Sequence, residues 1–303
     1  FALLAKESKS PVMSIRPEIL TAAVLPVIPS PVHMLFVGDI MLDRGVAMHA
    51  RKYGQDSLFA NVEELFRGYD AVIGNLEGTI TDRPSISDKD NTILKFTFDP
   101  SYAELLSSIN IKALSGANNH ALDFGRAGYR STVQYLASSS IAYFGSPLND
   151  ENLSTVLDIN EKKICLVGYH DLFTFDEASV LAHISTIRGD CDLLVIFAHW
   201  GDEYKKVPND RQKYLAHAFI DAGVDIVIGA HPHVMEPYEI YEGKAIFYSL
   251  GNFIFDQRLS YDTEHGLAVD VEWNGKTTIF ELIPTTIDRT EVSAGEPLER
   301  FTL

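Results

Sequence analysis

The segment DIVIGAHPH, residues 225 to 233, contains the two features that decide the fold. Its first part, DIVIGA (225–230), is almost continuously apolar, as expected for a strand that is covered on both faces of a parallel sheet. Its second part, His231-Pro232-His233, begins where the strand ends. In an extended segment residues i and i+2 point the same way, and Pro232 stiffens the backbone between them. Both imidazoles are therefore expected to face one cluster.

Similar apolar runs recur upstream of this segment. They are MLFVG (34–38), DAVIG (70–74), IKALSG (111–116), KICLVG (163–168) and DLLVIFA (192–198). Helical patterns separate several of them: DSLFANVEELFRG (56–68), SYAELLSSIN (101–110), AGYRSTVQYLASSS (127–140) and NDRQKYLAHAFIDAG (209–223). Past residue 234 the pattern becomes hairpin-like, with a strong turn signal at Asn274-Gly275. The sequence therefore predicts an α/β domain over residues 34–303 whose sheet continues into antiparallel strands.

Residues 1–33 contain five prolines and no sustained period, so we expect an extended N-terminal arm or linker. The chain begins at Phe1 with FALLA, which is much shorter than the about 20 apolar residues that span a bilayer. FALLA is the kind of end that a removed signal peptide or anchoring segment leaves. We therefore expect a protein that is extracellular or anchored at the cell surface, with its original N-terminus removed.

Composition excludes two classes of partner. The chain has 303 residues, 25 Lys and Arg against 42 Asp and Glu, and a formal net charge of −17. A surface this acidic is not expected to bind nucleic acid or anionic lipid, because both need clustered basic residues. The two cysteines, Cys165 and Cys191, lie in apolar runs and are predicted to be small buried core residues, not a disulfide framework.

Polar side chains follow the strands where the strands end. They are Asp39, Asn75 and Glu77, Asn118, Asn119 and His120, His199, and His231 and His233. Because the carboxyl ends of neighbouring parallel strands open onto one crevice, five strands are expected to deliver these side chains to one rim.

The types of these residues indicate a metal site. Carboxylates, an amide and imidazoles without a thiolate suit Mn, Fe or Zn. The donors are too many for one tetrahedral ion, whereas two divalent ions about 3.5–4 Å apart would use them all. Such pairs of ions serve the hydrolysis of phosphoesters and amides. His49, His170, His183, His217 and His265 lack this context and are expected to be structural.

Six motifs of the chain resemble those of the CapA family, the capsule and poly-γ-glutamate synthesis proteins that share the fold of calcineurin-like metallophosphoesterases. They are GDIML (38–42), NLEGTI (75–80), ANNHALDFG (117–125), AHWGDEY (198–204), GAHPHV (229–234) and SLGNFIFDQ (249–257). The resemblance implies a metallophosphoesterase-like α/β/β/α sandwich with mixed sheets.

The resemblance also implies roles for individual residues. Asp39 and His233 would bind one ion, Asn119, His199 and His231 would bind the other, and Glu77 would bridge them. His120 would be the general acid, with Asp123 orienting it. One departure weakens the first ion site: the chain has Asp39-Ile40-Met41 where typical phosphoesterases have Asp-x-His.

Residues near the motifs are candidates for substrate binding and support. Arg44 is expected to clamp a phosphate or carboxylate of the substrate, and Lys205 with Lys206 are weaker candidates. Asn252 is expected to donate a hydrogen bond beside the site. Asp202 and Glu203 are expected to hold the ring of His199.

Three functions stay open at this point. The first is a CapA-like protein of capsule synthesis that acts as a metal-dependent hydrolase on a phosphoester or γ-glutamyl bond, with a small molecule or polyglutamate as substrate. The second is a non-catalytic accessory subunit of a membrane-bound poly-γ-glutamate synthase. The third is a stand-alone small-molecule phosphoesterase. The missing imidazole at Met41 favours the second over the third, and His120 favours the first.

Overall fold

The computed structural model describes residues 30–87, 92–173 and 176–303. Residues 1–29 of the predicted arm lie outside these ranges, and the first strand begins at Val32. None of the helices in the described ranges has the length and apolarity needed to cross a membrane.

Helices and strands alternate through most of the described chain. The helices are α1 (Arg44–Tyr53), α2 (Glu63–Arg67), α3 (Ser101–Ser108), α4 (Gly125–Ser138), α5 (Glu177–Ile187) and α6 (Asp210–Asp221). The strands up to the His-Pro-His segment are β1 (Val32–Ile40), β2 (Ala71–Leu76), β3 (Thr79–Ile80), β4 (Thr97–Phe98), β5 (Ile111–Ser115), β6 (Ala142–Phe144), β7 (Ser154–Ile159), β8 (Lys162–His170), β9 (Leu193–His199) and β10 (Ile226–Ala230). The later strands are β11 (Met235–Tyr241), β12 (Lys244–Leu250), β13 (Asn252–Ile254), β14 (His265–Trp273), β15 (Thr278–Asp288), β16 (Glu291–Ala294) and β17 (Glu299–Thr302).

Two mixed sheets form the centre of the molecule. The first has the order β16-β15-β14-β1-β2-β5-β6, with β13 beside β1 and β17 beside β15. The second has the order β11-β12-β10-β9-β8-β7. In each sheet a parallel centre is extended by antiparallel strands, such as β14 and β15 in the first and β7 and β11 in the second.

Three apolar clusters hold the layers together. One lies between the sheets and contains Phe36 of β1, Phe197 of β9 and Phe247 of β12. A second packs α1 to α4 on the outer face of the first sheet, and a third packs α5 and α6 on the outer face of the second. This layering confirms the predicted metallophosphoesterase-like α/β/β/α sandwich with mixed sheets.

Local predictions agree with the structure in part. The turn at Asn274-Gly275 joins β14 and β15 as predicted. The single helix predicted over 56–68 is wrong, because a 3-10 turn at Gln55–Leu58 and the short α2 replace it. Leu58 and Phe66 still reach the core, so the apolar spacing is used although the backbone is not continuously helical.

The prediction that Cys165 and Cys191 are not disulfide-bonded is wrong. Both are buried, as expected, but their sulfur atoms are bonded, and their Cα atoms are 5.7 Å apart. Cys165 lies in β8 and pairs with Leu194 of β9, so Cys191 just before β9 lies next to it. The register of β8 and β9 brings the two sulfur atoms together, and the spacing of the cysteines in the sequence does not reveal this register. Disulfides persist in oxidising compartments, which agrees with the expectation of a protein outside the cytoplasm.

We expect the C165A/C191A double variant to fold but to unfold with a free energy lower by about 3 kcal/mol, because the bond closes a loop of 26 residues. Denaturant unfolding by circular dichroism measures this difference. The wild-type chain in a reductant is the matched comparison. Alkylation of the unreduced, denatured wild type should label no cysteine, and two labelled cysteines would contradict the bond.

Candidate metal centre

The carboxyl ends of parallel strands from both sheets meet at one edge of the sandwich. Asp39 pairs with Asn75 across β1 and β2, and His199 pairs with Ala230 across β9 and β10. At this edge the backbone of β1 passes very close to that of Gly251. Position 38 must be glycine, because a Cβ atom there would lie 1.9 Å from the carbonyl oxygen of Gly251. The structure thus brings together the side chains that the sequence places at strand ends.

Glu77 lies at the centre of this cluster, and its side chain is 0% exposed. In the part of the chain that the structure describes, neither of its carboxylate oxygens accepts a hydrogen bond. Oε1 lies 3.7 Å from Nε2 of His233 and 3.9 Å from Nε2 of His120. Burial raises the pKa of Glu77 to about 7, although His233 opposes this rise. A sealed carboxylate without partners is costly unless a cation compensates it.

Asp39 and His233 lie beside Glu77. The ligand atoms of these three residues lie within 4.8 Å of one another. Nδ1 of His233 lies 3.0 Å from Oδ1 of Asn252, which accepts its proton and leaves Nε2 facing Glu77. Burial alone would lower the pKa of His233, but Glu77 and Asp39 raise it to about 9. Oδ1 of Asp39 accepts a 2.8 Å hydrogen bond from Asn75.

His199, His231 and Asn119 form the adjoining part of the cluster. Nε2 of His199 lies 2.8 Å from Oδ1 of Asn119, and the rings of His199 and His231 are 4.8 Å apart between centroids. Nδ1 of His231 is buried, and none of the residues that the structure describes hydrogen-bonds it. Burial lowers the pKa of His199 well below its usual value and lowers that of His231 to about 3. Both imidazoles are therefore neutral, which is the form that binds metals.

The backbone of His231-Pro232-His233 is not extended, so the predicted conformation is wrong. His231 has φ 96° and His233 has φ 58°, both in the left-handed region that non-glycine residues seldom adopt. The rings still converge, with centroids 5.8 Å apart. They do so because a tight turn follows β10, at a conformational cost of about 1–3 kcal/mol for each strained residue. Strain of this kind clusters at functional sites.

His120 lies at the edge of the cluster with a carboxylate behind it. Its Nδ1 is 2.8 Å from Oδ2 of Asp123, and its ring packs against that of Phe96, with centroids 4.3 Å apart and planes tilted by 32°. The same oxygen of Asp123 accepts a hydrogen bond from the backbone N–H of Phe96. The pair resembles an acid or base held in one orientation by a carboxylate.

Arg44 and Asn252 are both buried. Arg44 forms an ion pair with Asp256 and lies between the rings of Phe96 and Phe255, at 5.0 and 5.6 Å from their centroids. Phe255 in turn contacts His233. Asn252 donates to Gln257 and to the carbonyl of Thr263 while accepting from His233, so its side chain is occupied by protein groups.

The expected support of His199 by Asp202 and Glu203 is wrong. Asp202 accepts from Asn209, whereas the ring nitrogens of His199 face Asn119 and Asn75. Glu203 turns towards the other two imidazoles, because its ligand atom and those of His231 and His233 lie within 4.8 Å of one another.

His170 is a second residue whose place the sequence analysis missed. It ends β8 directly beside His199, with ring centroids 5.9 Å apart, and its Nε2 is buried without a hydrogen-bond partner. The signal that would have found it is present in the sequence, since KICLVGYH is another apolar run that ends in a histidine.

The donors present fit a divalent metal. They comprise buried carboxylates, imidazoles and an amide, and several of their polar atoms have no partner among the described residues. Carboxylate and imidazole ligands suit Mn, Fe and Zn.

Comparison with known proteins identifies the family of the chain. The sequence profile of the bacterial capsule synthesis protein PGA_cap matches residues 33–257. The chain belongs to the PGA_cap family. The PGA biosynthesis protein CapA of Bacillus subtilis is 36% identical over 83% of this chain and 70% of its own length. The capsule biosynthesis protein CapA of Bacillus anthracis is 30% identical over 84% of this chain and 67% of its own length.

More distant similarities agree with this assignment. A Mycobacterium tuberculosis protein named "Probable polyglutamine synthesis accessory protein" is 28% identical over 62% of this PGA_cap chain and 56% of its own length. A solved structure of a hypothetical protein from Thermus thermophilus covers 89% of this chain and 98% of its own, with a TM-score of 0.51 and 15% identity. The latter similarity supports the fold alone.

We expect Mn²⁺ or Zn²⁺ to stabilise the wild type and not the E77Q variant. At a free metal concentration 100 times the Kd, binding adds about 2.7 kcal/mol to the free energy of unfolding. Without metal, E77Q should be at least as stable as wild type, because a neutral amide replaces a sealed carboxylate. Thermal unfolding with and without metal measures both effects. Glu104→Gln, which changes an exposed glutamate of α3, is the control, and a full metal response in E77Q would contradict the assignment.

Proposed function

We propose that this PGA_cap protein is a metal-dependent hydrolase of capsule synthesis that cleaves a phosphoester or γ-glutamyl bond. The observation that supports this most is the sealed, unpartnered carboxylate of Glu77 between His233 and His120. A purely structural cluster has no need of a His120–Asp123 pair facing such a carboxylate. The substrate is a small molecule or polyglutamate.

Two divalent ions, of Mn, Fe or Zn, would occupy the cluster. Asp39 and His233 would hold the first, Asn119, His199 and His231 would hold the second, and Glu77 would bridge them. Bound there, divalent metal would lower the pKa of water to about 7 and neutralise charge on the attacked group. Asn252 would keep Nε2 of His233 free for the metal by accepting the proton on Nδ1.

His120 would act as the general acid. Its Nδ1 hydrogen-bonds Asp123, which leaves Nε2 on the side of Glu77, where the leaving group would be protonated. Phe96 packs against the ring, with the two planes tilted by 32°, and so restrains its orientation. The carboxylate of Asp123 would hold the ring in the orientation that presents Nε2 to the leaving group.

Arg44 would bind an anionic group of the substrate. Its guanidinium lies between Phe96 and Phe255, which contact His120 and His233 respectively, so it is held at the wall of the site. Nε of Arg44 is buried without a hydrogen-bond partner. Phosphate and carboxylate both match guanidinium geometry, so this contact fits either substrate class.

We place the protein outside the cytoplasm, at the cell surface. The Cys165–Cys191 bond supports this location, as does the capsule role in the names of the two CapA relatives. The alternative function is a non-catalytic accessory subunit of a membrane-bound synthase, which the name of the M. tuberculosis relative favours.

Replacement of His120 separates the two functions. We expect the wild type with Mn²⁺ to hydrolyse an aryl phosphate or a γ-glutamyl peptide, and H120A to lose about 10²- to 10⁴-fold in kcat, because the leaving group is no longer protonated. Metal content by elemental analysis should stay unchanged in H120A, since its ring is a proton donor in this account.

His217→Ala is the matched control for H120A. His217 also pairs with a carboxylate, that of Glu239, but lies on α6 and belongs to the surface. Its loss should leave kcat within about twofold of wild type. Bound metal without turnover of either substrate in the wild type would contradict the hydrolase and support the accessory role.

A further inference from the structure

Glu203 lies in the motif AHWGDEY (198–204), but the resemblance gives it no role as a metal ligand. It follows β9 in the loop Gly201–Lys206, and its side chain approaches the imidazoles of His231 and His233 from the solvent side. Glu77 faces the same imidazole of His233 from the buried side. His233 therefore lies close to two carboxylates, of which Glu77 is buried and Glu203 is exposed.

The backbone fixes the position of this loop. Gly201 has φ 84°, and a Cβ atom there would lie 2.7 Å from the side chain of Gln212. The N–H of Tyr204 donates a 2.8 Å hydrogen bond to the carbonyl of Pro232, so the loop is tied to the turn that presents His231 and His233. Glu203 thus approaches these imidazoles through a constrained turn and not through a free chain.

The negative charge of Glu203 would help to balance the positive charge of bound metal ions. Asp39 and Glu77 are the two buried carboxylates of the site, and the imidazoles and amides are neutral ligands. Two divalent ions would bring four positive charges, of which these two carboxylates would neutralise two. A third carboxylate would neutralise one more, and uncompensated charge in such a desolvated site is costly.

The residues after the first strand lack a ligand that the resemblance implies. Met41 stands where an imidazole ligand is expected, and its side chain is buried, with Sδ accepting from the N–H of Asp43. The resemblance implies an imidazole ligand at this position, and Met41 supplies none. His231 adds an unpartnered, buried Nδ1 to the cluster that Glu203 approaches.

We propose that Glu203 is a metal ligand at the mouth of the site, which completes the coordination that Met41 leaves open. This inference rests on the proposed metal centre. Because Glu203 is exposed, a carboxylate or phosphate of the substrate can displace it from the metal while the buried ligands stay bound. Glu203 thus couples metal affinity to substrate entry.

The test compares E203Q with D202N, which removes the neighbouring charge in the same loop. Isothermal titration with Mn²⁺ measures affinity, and water-proton relaxivity of the bound Mn²⁺ reports the number of coordinated waters. We expect E203Q to bind Mn²⁺ about 10- to 100-fold more weakly and with higher relaxivity per bound ion, because water replaces the lost ligand. D202N should bind as wild type, since Asp202 pairs with Asn209.

The outcomes separate this inference from the one it rests on. If the wild type binds no divalent metal, the metal centre and the role of Glu203 both fail. If the wild type binds Mn²⁺ and E203Q matches it in affinity and relaxivity, the metal centre stands and Glu203 is not a ligand. An equal loss in D202N and E203Q would also overturn the proposal, because it would reflect the general charge of the loop. An unchanged unfolding temperature of E203Q excludes misfolding as the cause of weaker binding.

Discussion

The burial of Glu77 without a hydrogen-bond partner is the constraint on which the rest of the site depends. Burial of a carboxylate away from water costs several kcal/mol in lost solvation unless a cation or hydrogen bonds compensate it. Around Glu77 the structure places His233 and His120 at close range, but no donor among the described residues hydrogen-bonds either carboxylate oxygen. A bound divalent ion would compensate the negative charge of Glu77 and thereby stabilise the cluster.

The sandwich creates this environment by bringing two sheets to one edge. β1 and β2 supply Asp39, Asn75 and Glu77, whereas β9 and β10 of the other sheet lead to His199, His231 and His233. The turn after β10 has a left-handed backbone at His231 and His233. This strained conformation orients the two rings and must be stabilised by the rest of the fold. The clustered side chains are therefore positioned by strand ends on one side and by a strained turn on the other.

Much of the fold and the set of clustered residues could be predicted from the sequence, because apolar strands that end in Asp, Asn or His follow a simple rule. Parallel strands bring their carboxyl ends together, so Asp39 and His199 are found without coordinates. Features that depend on register or on loop conformation could not be predicted. The bond between Cys165 and Cys191 depends on how β8 pairs with β9, and the position of Glu203 depends on a turn that Gly201 and Tyr204 define.

Anomalous diffraction at the zinc edge from crystals grown with Zn²⁺ tests the central claim most directly. A metal held by Glu77, Asp39 and His233 should give a strong anomalous peak about 2.1 Å from a carboxylate oxygen of Glu77. Bridging by Glu77 predicts a second peak near His199 and His231, about 3.5–4 Å from the first. Well-ordered side chains of Glu77 and His233 with no anomalous peak between them would contradict the account.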